Sequence, residues 1–300
     1  MEPTMTDGGF MGMGSVYYRP SGRFGAGGIP VSLFLGAAAG VVLGVGHGYL
    51  TRYNPYIYFN FLATFALGFV IGVAVIIGAR AGKIRAPWLA GALGAACGLV
   101  GLYAAWVAWI HVLLVQGKVD MPTWIVAPAA LWRVIKVVNE NGAWSLGSGD
   151  TPTTGALLWV LWAIEAAVIV GVAAAVSWSW VNTTPFCEPC DAWTEKEIKA
   201  AKLGPAASIA NLKQSLEAKE FRPLAELGQA TPALFTEMDL LVCPRCRQVG
   251  FLTVRNVAIT VDKRKKQQVS KTDVVKNLTI EAEYMEKVRG IAGGQGVTVG

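Results

Sequence analysis

Long apolar runs dominate the first 181 residues of the chain, and a more mixed pattern of apolar and polar residues follows them. Four runs are long enough to cross a bilayer, which requires roughly 20 residues at about 1.5 Å rise per residue. They cover residues 29–50, 57–79, 88–115 and 155–181. This pattern predicts an α-helical membrane protein in which a four-helix transmembrane bundle occupies residues 29–181.

Composition and charge agree with this interpretation. The chain of 300 residues is 53% hydrophobic and only 15% charged, too apolar for an ordinary soluble domain. Lys and Arg concentrate in cytoplasmic loops, and the loop between the second and third spans contains Arg80, Lys83 and Arg85. We therefore expect a multi-pass protein with both termini in the cytoplasm, in a plasma membrane, of which the bacterial inner membrane is the expected example.

Glycine recurs at every fourth position of the first span. A face without side chains lets a neighbouring helix backbone approach closely and gain dispersion contacts. The expected use is packing within the bundle, and a homo-oligomer through the same face is the alternative. The residues of this face are Gly36, Gly40, Gly44 and Gly48.

An apolar segment with basic residues at one end lies between the third and fourth spans. It covers residues 123–138 and contains Pro128, Arg133 and Lys136. Such a segment favours an interfacial helix on the outer leaflet, and a re-entrant segment is the alternative.

Both histidines, His47 and His111, and one acidic residue, Glu165, fall inside the predicted spans. A charge at the bilayer centre costs roughly 2.5–3.5 kcal/mol, so such residues commonly face the bundle and carry function. At about 1.5 Å per residue the histidines lie ~5–6 Å below the outer boundary and Glu165 ~14 Å below it. Depth thus predicts that Glu165 is beyond hydrogen-bond reach of either histidine. We expect an uncharged Glu165 that hydrogen-bonds a neighbouring helix, with a transport or relay role as the alternative.

Four of the five cysteines form two CxxC pairs after the last span. Two such pairs supply the four thiolates of a tetrahedral Zn²⁺ site, and Pro244 favours the tight turn of the second pair. Residues 191–242 separate the pairs, a longer gap than the ~15–20 residues of a simple zinc ribbon. A closed set of four thiolates predicts one structural zinc, while redox chemistry and disulfides are the alternatives. The predicted ligands are Cys187, Cys190, Cys243 and Cys246.

The C-terminal part resembles the zinc-ribbon class of folds over about residues 186–281. A capping box at residues 194–197 predicts a short helix that ends before Pro205. Ile209, Leu212 and Leu216 recur on one helix face, and residues 251–261 and 273–280 have the composition of paired strands. The prediction is a cytoplasmic α+β domain, residues 184–290, that is zinc-ribbon-like with a helical insertion. Residues 1–28 are predicted to be disordered and residues 291–300 to be a flexible tail.

The predicted hairpin turn carries four consecutive basic residues. They are expected to form a solvated loop tip, and contact with anionic lipid headgroups is the alternative. Nucleic acid is an unexpected partner because no aromatic residues are interspersed with the basic run. The residues are Lys263, Arg264, Lys265 and Lys266.

The sequence contains no P-loop, no GxGxxG that opens a helix, no HExxH and no GxSxG motif. The only two histidines lie in predicted spans, so we do not expect an enzyme. The leading hypothesis is an integral membrane scaffold or adaptor whose zinc domain binds another protein, or lipid headgroups, at the cytoplasmic face. The competing hypothesis is a small transporter or channel subunit that uses Glu165, with the zinc domain serving assembly or regulation.

Overall fold

The computed structural model describes residues 16–54, 56–114, 127–142, 152–261 and 266–294. The chain divides into two compact units. The helical unit is Ser21–Asn182, and the sheet unit combines Met1–Pro20 with Thr183–Gly300. Separate hydrophobic clusters fill the two units, so each is built around a core of its own.

Five helices are described in the chain up to the end of the helical unit. They are α1 (Gly28–Tyr53), α2 (Ile57–Ala81), α3 (Pro87–Leu113), α4 (Pro128–Asn141) and α5 (Gly155–Thr183). Helices α1, α2, α3 and α5 are long and apolar enough to cross a membrane. The four predicted spans are therefore confirmed as helices of that length and composition.

The glycine face of α1 packs against α3 within the chain. Side chains added at Gly40 or Gly44 would contact the backbone of Gly101, and one at Gly48 would contact the backbone of Ala105. Gly36 lies against Cys97, which is buried as a small packing residue. Packing within the bundle thus accounts for the four glycines. Self-association through the same face would require α1 to separate from α3.

The order of the α3 contacts gives the direction of α5. Gly94 of α3 lies against Ala173, and the later Gly98 lies against the earlier Val170. Contacts between α1 and α3 instead follow the same order in both helices, from Gly40 with Gly101 to Gly48 with Ala105. Helices α1 and α3 are therefore parallel, and α5 is antiparallel to both.

Helix α4 lies in the segment that was expected to be interfacial, although residues 123–126 fall outside the described residues. Pro128 occupies the first turn of this helix, where its missing N–H costs nothing. One face of α4 is buried with α3 and α5 in an apolar cluster. Tryptophan rings continue the cluster, with Trp106 and Trp162 edge-to-face at a centroid distance of 4.9 Å.

The sheet unit contains a short strand pair, a four-stranded antiparallel sheet and three helices in the described residues. The pair is β1 (Phe186–Cys187) with β2 (Ala192–Trp193), and the sheet order is β3-β4-β5-β6. The sheet strands are β3 (Glu195–Leu203), β4 (Leu234–Val242), β5 (Val249–Val261) and β6 (Gln267–Glu281). The helices are α6 (Ile209–Glu217), α7 (Arg222–Ala225) and α8 (Ala282–Gly294). They share a single apolar cluster with one face of the sheet.

The helix predicted to open at residues 194–197 and to end before Pro205 is wrong, because Glu195–Leu203 forms strand β3. The Thr194 hydroxyl donates to the carbonyl of Pro185 at 2.9 Å instead of capping a helix. Ile198, Ala201 and Leu203 are fully buried against the sheet core. Backbone pairing with β4 and burial of these side chains outweigh the local capping signal.

The helical insertion between β3 and β4 is present. Ser208 caps α6 by accepting a hydrogen bond from the Asn211 N–H at 3.3 Å. Leu212 and Leu216 of α6 are buried, as the periodicity predicted, and so is Leu224 of α7.

Both ends of the sheet unit differ from the prediction. Helix α8 was not predicted and continues to Gly294, with Met285, Val288 and Ala292 fully buried, so residues 291–294 are helical and not a flexible tail. At the other end Tyr17 forms an antiparallel bridge with Leu278 of β6, which contradicts the predicted disorder at that position. Residues 1–15 and 295–300 lie outside the described residues.

Candidate functional site

The two CxxC pairs converge in the sheet unit. The sulfur atoms of Cys187, Cys190, Cys243 and Cys246 all lie within 4.8 Å of one another. Metal–sulfur bonds of about 2.3 Å place tetrahedral ligands about 3.8 Å apart. Small side-chain movements would thus close the four thiols on one metal ion, and the residues fit such an ion.

Each CxxC pair forms a tight turn of the same kind. In each pair the first cysteine, Cys187 or Cys243, is buried, while the second is partly exposed. The residue after the second cysteine adopts a left-handed conformation, with φ of 49° at Asp191 and 53° at Arg247. The Arg247 N–H donates back to the Cys243 carbonyl at 3.1 Å and closes the second turn. Both cysteines of each pair thereby reach the same side of their turn.

Strand pairing explains how the pairs meet across residues 191–242. Glu195, just after the first pair, lies opposite Val242, just before the second. The intervening chain leaves along β3 and returns along β4, with the insertion helices at the far end. Arg245 also joins the two turns, since its Nη1 donates to the Cys190 carbonyl at 2.8 Å.

The four thiols are electrostatically unequal. Burial works to raise the pKa of Cys243, but hydrogen bonds from the backbone of Cys246 and Arg245 outweigh it and lower that pKa to about 7. Burial raises the pKa of the Cys187 thiol, to which the neighbouring Cys243 also contributes. A bound divalent cation favours the thiolate form of every ligand. Metal binding would therefore release protons, most of all from Cys187.

The sequence analysis missed a group of charged side chains on the face of the sheet that is opposite the apolar cluster. The Nη1 of Arg255 on β5 lies 2.8 Å from Asp239 and 3.0 Å from Glu237, both on β4. Its Nε lies 3.3 Å from Asp273 on β6. Burial works to raise the pKa of Asp239, but hydrogen bonds from the Ala200 backbone and Arg255 hold it below its usual value. These contacts join three strands, and their role is structural.

Within the helical unit, His47 and Glu165 are close together. The Nε2 of His47 lies 3.8 Å from Glu165 Oε1 and 3.1 Å from Thr64 Oγ1. The two side chains are therefore much closer than the ~8 Å difference in depth suggested, although 3.8 Å is still longer than a hydrogen bond, as predicted. Helical side chains lean towards the helix N-terminus, and the antiparallel α1 and α5 lean their side chains towards each other.

The remaining predicted site residues lie apart from these clusters. Among the described residues, the buried Nδ1 of His111 has no hydrogen-bond partner and does not join His47 and Glu165. Of the basic run, Lys263, Arg264 and Lys265 lie outside the described residues. Lys266 is exposed just before β6.

Comparison of the chain with protein-family models, curated proteins and solved structures finds no match. Assignment of function therefore depends on the geometry of two groups of side chains. One is the four-cysteine cluster, and the other is formed by His47, Thr64 and Glu165.

Proposed function

We propose that this chain is an integral membrane scaffold or adaptor whose four helices anchor a zinc-stabilised domain at the cytoplasmic face. The observation that carries the proposal is the convergence of four cysteine sulfurs within 4.8 Å. The cluster lies in the sheet unit, whereas the helical unit contains the long apolar helices. The density of Lys and Arg near Arg80 and Lys83 supports the cytoplasmic orientation.

Zinc is the metal that suits this set of ligands best. Four cysteine thiolates in tetrahedral arrangement are a common structural zinc site, and they leave no coordination position for a reacting water. The two matching turns, each at the end of a strand, support a zinc-ribbon-like arrangement. The ion would stabilise the two turns that begin at Cys187 and Cys243. It would thereby hold the binding surface of the scaffold in place.

Metal analysis of the full-length protein in detergent tests the zinc site. About one equivalent of zinc is expected, and serine at either Cys187 or Cys243 should abolish stoichiometric binding. Cys97 is the matched control, since it is buried in the helical unit and its serine variant should keep the metal. A folded wild-type protein free of metal would exclude the structural role.

The second candidate is a small transporter or channel subunit, favoured by the contact between His47 and Glu165 inside the bundle. Intramembrane ionisable groups that pair with one another mark ion pathways in many membrane proteins. In this function the zinc domain would serve assembly or regulation.

Complementation of cells that lack the gene distinguishes the two functions. For a scaffold, Glu165→Gln should restore the wild-type phenotype while Cys243→Ser should not. For a transporter, Glu165→Gln should fail even though the variant protein reaches the membrane in normal amounts. Equal failure of Cys97→Ser would show that the loss reflects general damage to the protein.

A further inference from the structure

We infer that His47, Thr64 and Glu165 form a proton-exchange site that opens towards the turn between α1 and α2. The inference concerns what the pair binds, and it holds whether or not the protein transports anything. Its ligand is the proton, exchanged with water at the α1–α2 end of the bundle.

Three different helices bring these side chains together. Glu165 lies between the buried Trp162 and Ile169 of α5, and its own side chain is 32% exposed. His47 lies on the glycine face of α1, where it is 5% exposed, and Thr64 of α2 is 4% exposed. His47 and Thr64 are therefore buried in the bundle, and the partly exposed Glu165 approaches them from its edge. An unpaired ionisable side chain is costly at such a depth.

Hydrogen-bond directions define the proton positions. The Thr64 hydroxyl donates to the Asn60 carbonyl at 2.9 Å, so its oxygen accepts a hydrogen bond from His47 Nε2–H at 3.1 Å. Glu165 Oε1 is 3.8 Å from the same nitrogen. In the neutral ring Nε2 therefore carries the proton, so a proton taken up from water binds at Nδ1, and loss of a proton from Glu165 to water leaves a carboxylate beside the ring. The pair can thus gain or lose protons by exchange with water, and the charge of each member acts on the other across 3.8 Å.

A seam of polar side chains runs from this pair to one end of the helices. Thr51 of α1 is one turn beyond His47 and donates to its carbonyl at 2.9 Å. Asn60 of α2 is one turn before Thr64, and the Asn54 amide donates to its Oδ1 at 2.7 Å. Asn54 and Asn60 are partly exposed, so the seam reaches the protein surface.

In the opposite direction the same helices are apolar for several turns. From Thr64 towards the C-terminus of α2, the buried apolar side chains are Leu67, Ile71, Val75 and Ala79. From His47 towards the N-terminus of α1, the same face consists of Gly44, Gly40 and Gly36, which pack against α3. Water would therefore reach the pair from the α1–α2 turn, because the buried polar side chains in the other direction, Ser32 of α1 and Ser177 of α5, are twelve or more residues from His47 and Glu165 along their helices.

Other titratable groups on the packed helices must be separated from the pair in any measurement. Helix α5 adds no ionisable residue besides Glu165. The remaining groups are Tyr49, Arg52 and Tyr53 on α1, Tyr58 and Arg80 on α2, and Cys97, Tyr103 and His111 on α3.

Selective labelling isolates the site because the chain has only two histidines. The full-length protein, labelled with ¹⁵N-histidine and reconstituted in liposomes, should give two sets of ring signals in solid-state NMR. His111→Gln assigns them. Between about pH 4 and about pH 9 the His47 signals should titrate, and Glu165→Gln should move their midpoint by about one pH unit or more. The His111 signals are the internal control and should be the same with and without Glu165→Gln.

Water access forms the second arm of the experiment. Magnetisation transfer from mobile water should reach the His47 ring in the wild type and be lost in Asn60→Leu, which fills the polar seam. A His47 ring that does not titrate, or whose midpoint ignores Glu165→Gln, would overturn the inference. Titration without proton flux across the liposome would leave it intact and remove the transporter function instead.

Discussion

Replacement of Asp239 tests how the sheet unit accommodates its buried charges. The Asp239 side chain is 4% exposed, accepts a hydrogen bond from the Ala200 N–H at 2.9 Å and pairs with Arg255 at 2.8 Å. Ala200 has a φ of 51° and interrupts the β3–β4 register. Asp239→Asn keeps the acceptor for Ala200 and removes the charge, whereas Asp239→Ala removes both. The two variants therefore separate the ion pair from the anchor of the irregular strand.

The expected losses in unfolding free energy follow from the contacts that each Asp239 variant removes. A hydrogen bond to a charged group contributes about 1.5–3 kcal/mol, and Arg255 keeps Glu237 and Asp273 in the variant, so Asp239→Asn should cost about 2 kcal/mol. Loss of the Ala200 bond adds about 1 kcal/mol in Asp239→Ala. Lys196→Ala is the control: its side chain is 49% exposed and 3.5 Å from Asp239, a kind of pair that contributes below about 0.5 kcal/mol.

Hydrogen–deuterium exchange on the full-length protein measures these losses within the sheet unit. Each 1.4 kcal/mol is about a tenfold change, so amides of β3 and β4 should exchange ~30-fold faster in Asp239→Asn and ~150-fold faster in Asp239→Ala. Equal acceleration by the two variants would refute the role of the Ala200 bond. Acceleration below twofold in both would refute the importance of the whole charge group.

The same contact predicts a pH dependence. The folded state holds the Asp239 pKa below its usual value, so its contribution is present above the unfolded pKa of about 3.9 and is lost as pH falls through the lower folded value. The difference in unfolding free energy between wild type and Asp239→Asn should therefore be constant near neutrality and shrink under acid conditions. A difference that grew on acidification would contradict the sign of the argument.

Three further predictions concern packing and the cysteine cluster. Gly44→Ala should destabilise the helical unit by about 1–3 kcal/mol in detergent-induced unfolding, because its Cβ would overlap the Gly101 carbonyl; Gly46→Ala, where the added Cβ meets only open space, is the matched control. Met285→Ala should destabilise the sheet unit by about 2–5 kcal/mol, measured by exchange of β5 amides, since Met285 is fully buried. Zinc affinity measured by chelator competition should fall as pH is lowered, because burial raises the pKa of Cys187 and its thiol must lose a proton on binding; affinity independent of pH would contradict thiolate ligation.

The long helices could be predicted from the sequence because their signal is local. An apolar run of sufficient length specifies a membrane-crossing helix whatever its neighbours are, and the observed helices begin and end close to the predicted spans. The periodicity of α6 was equally local, with Leu212 and Leu216 one turn apart. Helix α8 had a readable signal that was overlooked, since Met285, Val288 and Ala292 recur at helical spacing.

Strand β3 and the strand segment at Tyr17 depended on partners distant in the chain. The local pattern of residues 194–197 is typical of a helix N-terminus. Pairing with the backbone of β4 and burial of Ile198 in the sheet core make the segment a strand instead. Tyr17 shows no periodicity of its own, and its contacts are with residues distant in the chain: it forms a bridge with Leu278, and its hydroxyl donates to Glu217. Register likewise determines that Asp239 and Arg255 meet, and no local pattern specifies register.

The cysteine cluster was predictable as a set of residues but not as a geometry. Spacing identified the four thiols, and the long gap between the pairs argued against a simple ribbon. The structure removes that difficulty, because Glu195 and Val242 are paired across the gap. A helical insertion between antiparallel strands changes the distance along the chain and leaves the distance in space unchanged.

His47 and Glu165 show what depth arithmetic omits. His47 is six residues from the end of α1 at Tyr53, and Glu165 is ten residues from the start of α5 at Gly155, so the backbone positions differ in depth by only about 6 Å if the helix ends are level. The antiparallel helices then direct the two side chains towards each other, since each leans towards its own N-terminus. Two long side chains cover the remaining distance and reach 3.8 Å. An intramembrane pair must therefore be sought by side-chain direction as well as by residue depth, and residues whose depths differ by one helical turn are candidates when their helices run in opposite directions.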